Sequence, residues 1–159
     1  IKDDEFWVCS RKQALKESNE NSFWKIARRY DLEIICREHN VVIQGELCGP
    51  GIQKNPLGLS ELELFMFNVF TLEDKFFLSN SEIMDFCDIT GLTSVPLVSS
   101  GDSFSWDYPT LQQLSDTQRY PNGHLAEGIV IRLNETQPIT EKKISFKVIS
   151  NSYLLGGNE

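Results

Sequence analysis

At 159 residues, with 40% hydrophobic and 24% charged side chains, the chain is long enough to bury one self-supporting core and is neither disordered nor collagen-like in make-up. No apolar run approaches the ~18 residues of a membrane span, and no signal-peptide pattern opens the sequence. A net charge of -8 argues against a general nucleic-acid binder, but residues 1–40 hold eight basic and eight acidic side chains, so the whole negative balance lies in residues 41–159.

In chain order, residues 6–9 (Phe-Trp-Val-Cys) read as a short strand ending at Ser10-Arg11. Residues 21–38 predict one amphipathic helix, with Phe23, Ala27, Tyr30 and Ile34 on its apolar stripe. Lys25, Arg28 and Arg29 give it a basic face, which a solvated surface explains more simply than phosphate contact. A strand over 41–47 enters the turn Cys48-Gly49-Pro50-Gly51, which neither helix nor strand can cross. A second strand over 62–71, a Glu73-Asp74 turn and the segment 75–78 predict a hairpin. Caps at residues 79–81 start a helix running through Ile89 and closed by Gly91. Residues 95–98 suggest another strand, 109–115 a short helix with proline in its first turn, and 126–133 and 144–150 two final strands. Strands and helices mix without regular βαβ alternation. The expected class is therefore α+β, mostly antiparallel sheet with flanking helices, in a single domain over residues 1–159.

Cys9, Cys36, Cys48 and Cys87 form no C-x-x-C pair, and His39 and His124 are too far apart to complete a zinc site with them. Buried free thiols are expected, which suits an intracellular compartment. His124 follows Asn122-Gly123 and reads as an exposed turn residue. No P-loop, no G-x-G-x-x-G and no G-x-S-x-G occurs, which removes the commonest nucleotide-hydrolase and serine-hydrolase readings.

Three segments carry polar residues where plain strands would be apolar. In Gln44-Gly45-Glu46-Leu47-Cys48-Gly49-Pro50-Gly51-Ile52-Gln53-Lys54-Asn55, a carboxylate ends an apolar strand beside glycines that let a ligand approach the backbone. In Ala126-Glu127-Gly128-Ile129-Val130-Ile131-Arg132, Glu127 opens a strand and suits a divalent cation, which takes one or two carboxylates together with phosphate oxygens. In Ser145-Phe146-Lys147-Val148-Ile149-Ser150, Lys147 interrupts an apolar strand, where an anion partner or an edge-protecting charge accounts for it.

Taken in this order, the segments resemble the nucleotidyltransferase motifs of ATP-dependent RNA ligases. GELCGPGIQKN resembles the segment that supplies a ribose-contacting glutamate, AEGIVIR the metal-associated glutamate strand, and SFKVISN the closing lysine motif. Residues 65–69 (Phe-Met-Phe-Asn-Val) are similar to the strand whose phenylalanine stacks on adenine, and Cys9-Ser10-Arg11-Lys12 to the Ser-Arg segment after the nucleophile motif. The resemblance implies a nucleotidyltransferase (ATP-grasp-like) core and an enzyme that seals RNA 5′-phosphate and 3′-hydroxyl ends through lysyl-AMP and RNA-adenylate. It implies ATP (AMP) and a divalent metal, Mg²⁺ or Mn²⁺, as cofactors. As partners it implies RNA ends or a nicked duplex, for a monomer away from membranes.

By the same resemblance, Glu46 accepts from the ribose hydroxyls, Phe67 stacks on adenine, and Arg11 grips a phosphate. Glu127 binds the metal and Lys147 contacts the α-phosphate, these two being the catalytic residues. Lys25, Arg28, Arg29, Gln53 and Asn55 are the implied RNA contacts. The family's K-x-D-G nucleophile motif is absent: Lys2-Asp3-Asp4-Glu5 lacks the glycine and lies too near Ser10-Arg11. The chain is therefore expected to begin just after the nucleophile and to be inactive alone. The closing motif often carries two lysines, and here Ser145 and Ile149 stand two residues either side of Lys147. A DNA ligase, a capping-type nucleotidyltransferase, and a nucleotide- or RNA-binding module without its nucleophile remain the alternatives.

Overall fold

The structure, a computed structural model, describes residues 5–101, 105–140 and 144–156. The strand expected at residues 6–9 is reduced to an isolated bridge between Cys9 and Ala14. The Ser10 hydroxyl takes the Lys12 and Gln13 amides at 3.3 Å, and these local bonds turn the chain before a ladder can extend. Cys9 is consequently exposed, unlike the buried Cys36 and Cys87, and all four thiols are free.

The single helix expected over 21–38 is two. α1 (Ser22–Arg29) is capped by Asn21, whose side chain accepts from the Phe23 and Trp24 amides, and α2 (Leu32–Glu38) restarts after Asp31. Asp31 has φ +50°, left-handed backbone that an α-helix cannot pass through. Each half docks its own face, so Trp24, Ile26, Ala27 and Cys36 are buried while Phe23 and Ile34, on the expected stripe, are exposed.

β1 (Val41–Cys48) and β2 (Glu63–Thr71) pair antiparallel along their length. The expected hairpin forms: β3 (Phe76–Phe77) folds back on β2 after Lys75, which adopts φ +60° in the turn. α3 (Asn80–Thr90) has the expected ends. Ser79 and Glu82 make a reciprocal capping box, and Gly91 closes the helix in the left-handed conformation. β4 (Thr93–Ser94) pairs parallel with β2. The strand expected over 95–98 does not form. Val95 donates one last bond to the Met66 carbonyl, Pro96 has no N–H to continue the ladder, and Leu97 and Val98 are exposed.

α4 (Tyr108–Thr117) is capped by Asp107, with Pro109 in its first turn. β5 (Gly128–Arg132) comes next, then the two-residue β6 (Gln137–Pro138), which pairs with β3 at the rim of the larger sheet. β7 (Ser145–Ile149) pairs antiparallel with β5 to make a second, two-stranded sheet, and α5 (Asn151–Leu154) is one turn. Two apolar clusters result. Val41, Met66 and Val69 of the larger sheet pack on Ile83, Phe86 and Cys87 of α3 and on Leu32 and Ile35 of α2. Ile129 and Val148 of the smaller sheet pack on Leu111 and Leu114 of α4. The expected α+β class, mostly antiparallel with flanking helices, is the observed one. Among the described residues no helix is long and apolar enough to cross a membrane.

Candidate functional site

Strand alternation places the charged residues of the smaller sheet. Ile129 and Val148 are paired and face α4, so the next pair in register, Val130 and Lys147, lies on the opposite, exposed face together with Ile149 and Arg132. Lys147 Nζ is 2.5 Å from Glu127 Oε1, with the side chains 40% and 52% exposed. Gly128 makes this approach possible. It has φ +154°, and a Cβ there would stand 2.2 Å from the Val148 carbonyl oxygen, so only glycine lets β5 close onto β7 beside Glu127. The Ser150 amide then donates to the Glu127 carbonyl at 3.0 Å, extending the pairing one step past the strand ends.

The larger sheet contributes a second group. Met66 and Val69 are both fully buried in one cluster although three residues apart, which plain alternation forbids. The register slips between Gln44 and Gly45, so that Gln44 faces Asn68 and Gly45 faces Met66, leaving Phe67 as the extra residue of a β-bulge. Glu46 lies opposite Phe65 and is exposed. The half-buried Phe67 ring has the Arg132 guanidinium over it, Cζ 5.3 Å from the centroid.

Arg132 is the residue that sequence reasoning missed. Its guanidinium donates to the Phe67 carbonyl and, at 3.1 Å, to Asn68 Oδ1, while Asn68 in turn donates to Gln44 Oε1 at 2.7 Å. The two sheets are tied at this point. Partial loss of solvent where the guanidinium lies over Phe67 lowers the Arg132 pKa from its ordinary value. In the sequence Arg132 is simply the last residue of AEGIVIR, and its bonds to β2 follow from how the two sheets meet. Tyr120 adds a further link. Burial raises its phenol pKa, and the Glu127 main chain works against that rise.

The remaining predicted residues are dispersed. Arg11 sits in the exposed turn after Ser10. Arg28 is bonded by Glu33 at 2.7 Å and Glu17 at 2.6 Å and lies over the Trp24 ring; those carboxylates, Glu33 first, raise its pKa. Arg29 is held by Glu61 at 3.0 Å, Glu63 at 3.1 Å and the Leu62 carbonyl. Both arginines are thus exposed but paired with carboxylates of the same chain, and Lys25 of that face stands exposed. Gln53, Lys54 and Asn55 all have positive φ, in a loop that Asn55 closes through both side-chain atoms to the Leu59 backbone. Gln53 is exposed on that loop.

Among the described residues no three His, Cys, Asp or Glu side chains gather as a metal cage. A divalent cation at Glu127 would have to draw the rest of its shell from a ligand and water.

The sequence profile of the RNA ligase family matches residues 1–149. The chain belongs to the RNA ligase family. No curated protein matches it. Among solved structures, a Naegleria gruberi RNA ligase mutant with ATP and Mn is similar, at a TM-score of 0.84 and 25% identity over 98% of this chain and 46% of that one. A mutant of the same ligase with AMP and Mn gives the same figures, and the ligase with PPi a TM-score of 0.81 at 25% identity. The chain thus spans slightly under half the length of the solved relatives it matches.

Proposed function

We propose that this chain forms the ATP-facing part of an RNA ligase adenylyltransferase site, which joins RNA 5′-phosphate and 3′-hydroxyl ends through lysyl-AMP and RNA-adenylate. The observation that carries the reading is the Lys147–Glu127 pair, standing on the exposed face of the smaller sheet. An ammonium and a carboxylate 2.5 Å apart are each other's counterions, and a phosphate with its divalent cation offers each a better-matched partner. Lys147 then holds an α-phosphate oxygen and stabilises the charge that builds there, and Glu127 takes the metal. When bound, Mg²⁺ or Mn²⁺ supplies neutralisation of phosphate charge.

Glu46, exposed on β1, accepts from the ribose hydroxyls, and Phe67, displaced from its strand's alternation by the bulge, offers its ring to adenine. Arg11 grips a further phosphate. In the first step a lysine amine attacks the α-phosphorus and pyrophosphate leaves; AMP then passes to the RNA 5′-phosphate, and the 3′-hydroxyl displaces it. Lys25 and Gln53 remain as exposed RNA contacts, whereas Arg28, Arg29 and Asn55 would have to exchange internal bonds for RNA. The ATP, AMP and PPi complexes of the Naegleria ligase support a nucleotide site on this fold.

Calorimetric titration of the chain tests this reading. ATP with Mn²⁺ is expected to bind at least about tenfold tighter than GTP with Mn²⁺. Lys147→Ala and Glu127→Ala should each weaken ATP by about tenfold or more, the worth of one charge-assisted bond, and leave adenosine unchanged. Equal affinity for ATP and GTP, or full ATP affinity in both variants, overturns it. In the gene product that carries this chain, labelled ATP and a divalent metal should give an acid-stable protein–AMP adduct that both variants abolish.

A further inference from the structure

One face of α4 grips the strand that carries Lys147. Gln112, Ser115 and Asp116 stand at i, i+3 and i+4, so they share a face of the helix. Ser115, wholly buried, donates its hydroxyl to the Val148 carbonyl at 2.9 Å, and Gln112 Nε2 donates to the Ile149 carbonyl at 3.0 Å. Asp116 Oδ1 accepts from the Ser150 hydroxyl at 3.0 Å, the Asn151 amide at 2.6 Å, the Ser152 amide at 3.3 Å and Gln112 Nε2 at 3.2 Å. Five successive residues, 148 to 152, are thus held by three side chains. Ser150 is itself wholly buried, and its amide donates to the Glu127 carbonyl. The same carboxylate therefore reaches both arms of the ion pair: Lys147 through the strand end, and Glu127 through Ser150.

Apolar packing alone cannot do this. The contact of Val148 and Ile129 with α4 holds the sheet down but is non-directional. A one-residue slip of β7 would turn Lys147 toward α4 and away from Glu127. Hydrogen bonds to named carbonyls and amides forbid the slip. Loss of solvent works to raise the Asp116 carboxyl pKa, but the donors around it outweigh that and hold it below the ordinary range, so it stays ionised.

From these contacts we infer that Asp116, acting through Ser150, is a positioning residue that sets Lys147 and Glu127 in register for a phosphate-bound metal. This rests on the phosphate- and metal-facing roles proposed for those two side chains. Asp116 touches neither ligand, so its effect must appear only in the part of the ligand that Lys147 and Glu127 would hold.

The experiment compares ATP with Mn²⁺ against adenosine, by calorimetry on the wild type, Asp116→Ala and Asp116→Asn, with the cross-strand NOE between Val130 and Lys147 read in parallel. Asp116→Ala is expected to weaken ATP by about tenfold and adenosine by less than about twofold, and to displace or lose the NOE. Asp116→Asn keeps an acceptor oxygen and should return ATP to within about threefold of wild type. Should Asp116→Ala fail to fold, Gln112→Ala reads the same discrimination at about threefold. Equal losses for ATP and adenosine would mean a merely structural role, and an unmoved NOE with unchanged ATP affinity no role at all; either overturns the inference. A wild type that binds no ATP while Asp116→Ala still loses the NOE would sink the nucleotide reading and leave the register role standing.

Discussion

Lys147 and Glu127 form an ion pair half open to water, and a pair so placed contributes little to folding. Lys147→Ala and Glu127→Ala are each expected to change unfolding stability by less than about 1 kcal/mol in urea titration, although both should impair ATP binding strongly. A larger stability loss would mark the pair as a structural bridge. Gly128 behaves in the opposite way. It touches no ligand in the proposed site, yet a Cβ there would overlap the Val148 carbonyl oxygen at 2.2 Å, on backbone that L-residues rarely adopt. Gly128→Ala should cost more than about 1 kcal/mol in thermal unfolding and separate β5 from β7, taking Glu127 away from Lys147. The glycine after the glutamate in AEGIVIR is therefore a spacing residue, and its reason is visible only where the two strands meet.

Among the elements, α3 has the most completely specified ends. Ser79 accepts the Glu82 amide while Glu82 accepts the Ser79 amide and hydroxyl, and Thr136 donates to the same carboxylate at 2.8 Å. Ser79→Ala should cost about 1 kcal/mol by urea denaturation. The Ser79 hydroxyl and amide, followed by Thr136, hold the Glu82 carboxyl below the ordinary carboxylate range. Its folded pKa is depressed, so its contribution is fully present above the unfolded carboxylate pKa and is lost as pH falls through the folded value. The urea midpoints of wild type and Glu82→Gln should draw together as pH falls from about 5 through the depressed folded pKa; a gap that does not narrow on acidification would contradict the assignment. At the other helical end, the break between α1 and α2 at Asp31 turns Arg28 and Arg29 toward Glu17, Glu33, Glu61 and Glu63. A basic helix face in the sequence becomes a carboxylate-paired one in the fold.

Across the whole molecule, Arg132 joins the two sheets. Its bonds to Phe67 and Asn68 link residues 64 and 65 positions apart and set the adenine-facing strand proposed here against the phosphate-facing one. Arg132→Met, which keeps the apolar stem and removes the donors, should lower stability by about 1–3 kcal/mol in urea and weaken ATP and adenosine together. A loss confined to ATP would assign Arg132 to the phosphates. The net charge of -8 is compatible with this arrangement, because a binding face needs only a local group of cations, and Lys147 and Arg132 share one face of the smaller sheet.

The sequence by itself determined what local chemistry governs. The Ser79 cap and Gly91 stop and the hairpin around residues 72–75 were legible, because each depends on torsional preferences within about ten residues, and the RNA ligase family was legible through the resemblance of its motifs and their order along the chain. Pro96 ended the strand expected over 95–98 by a rule equally local. The tertiary structure alone decided the bulge at Phe67, the Arg132 tie, the pairing of Arg29 with Glu61 and Glu63, and the grip of Asp116 on residues 150–152. Those contacts join residues that are distant in the chain, and their partners follow from strand register and packing angle, quantities that no short window of sequence contains.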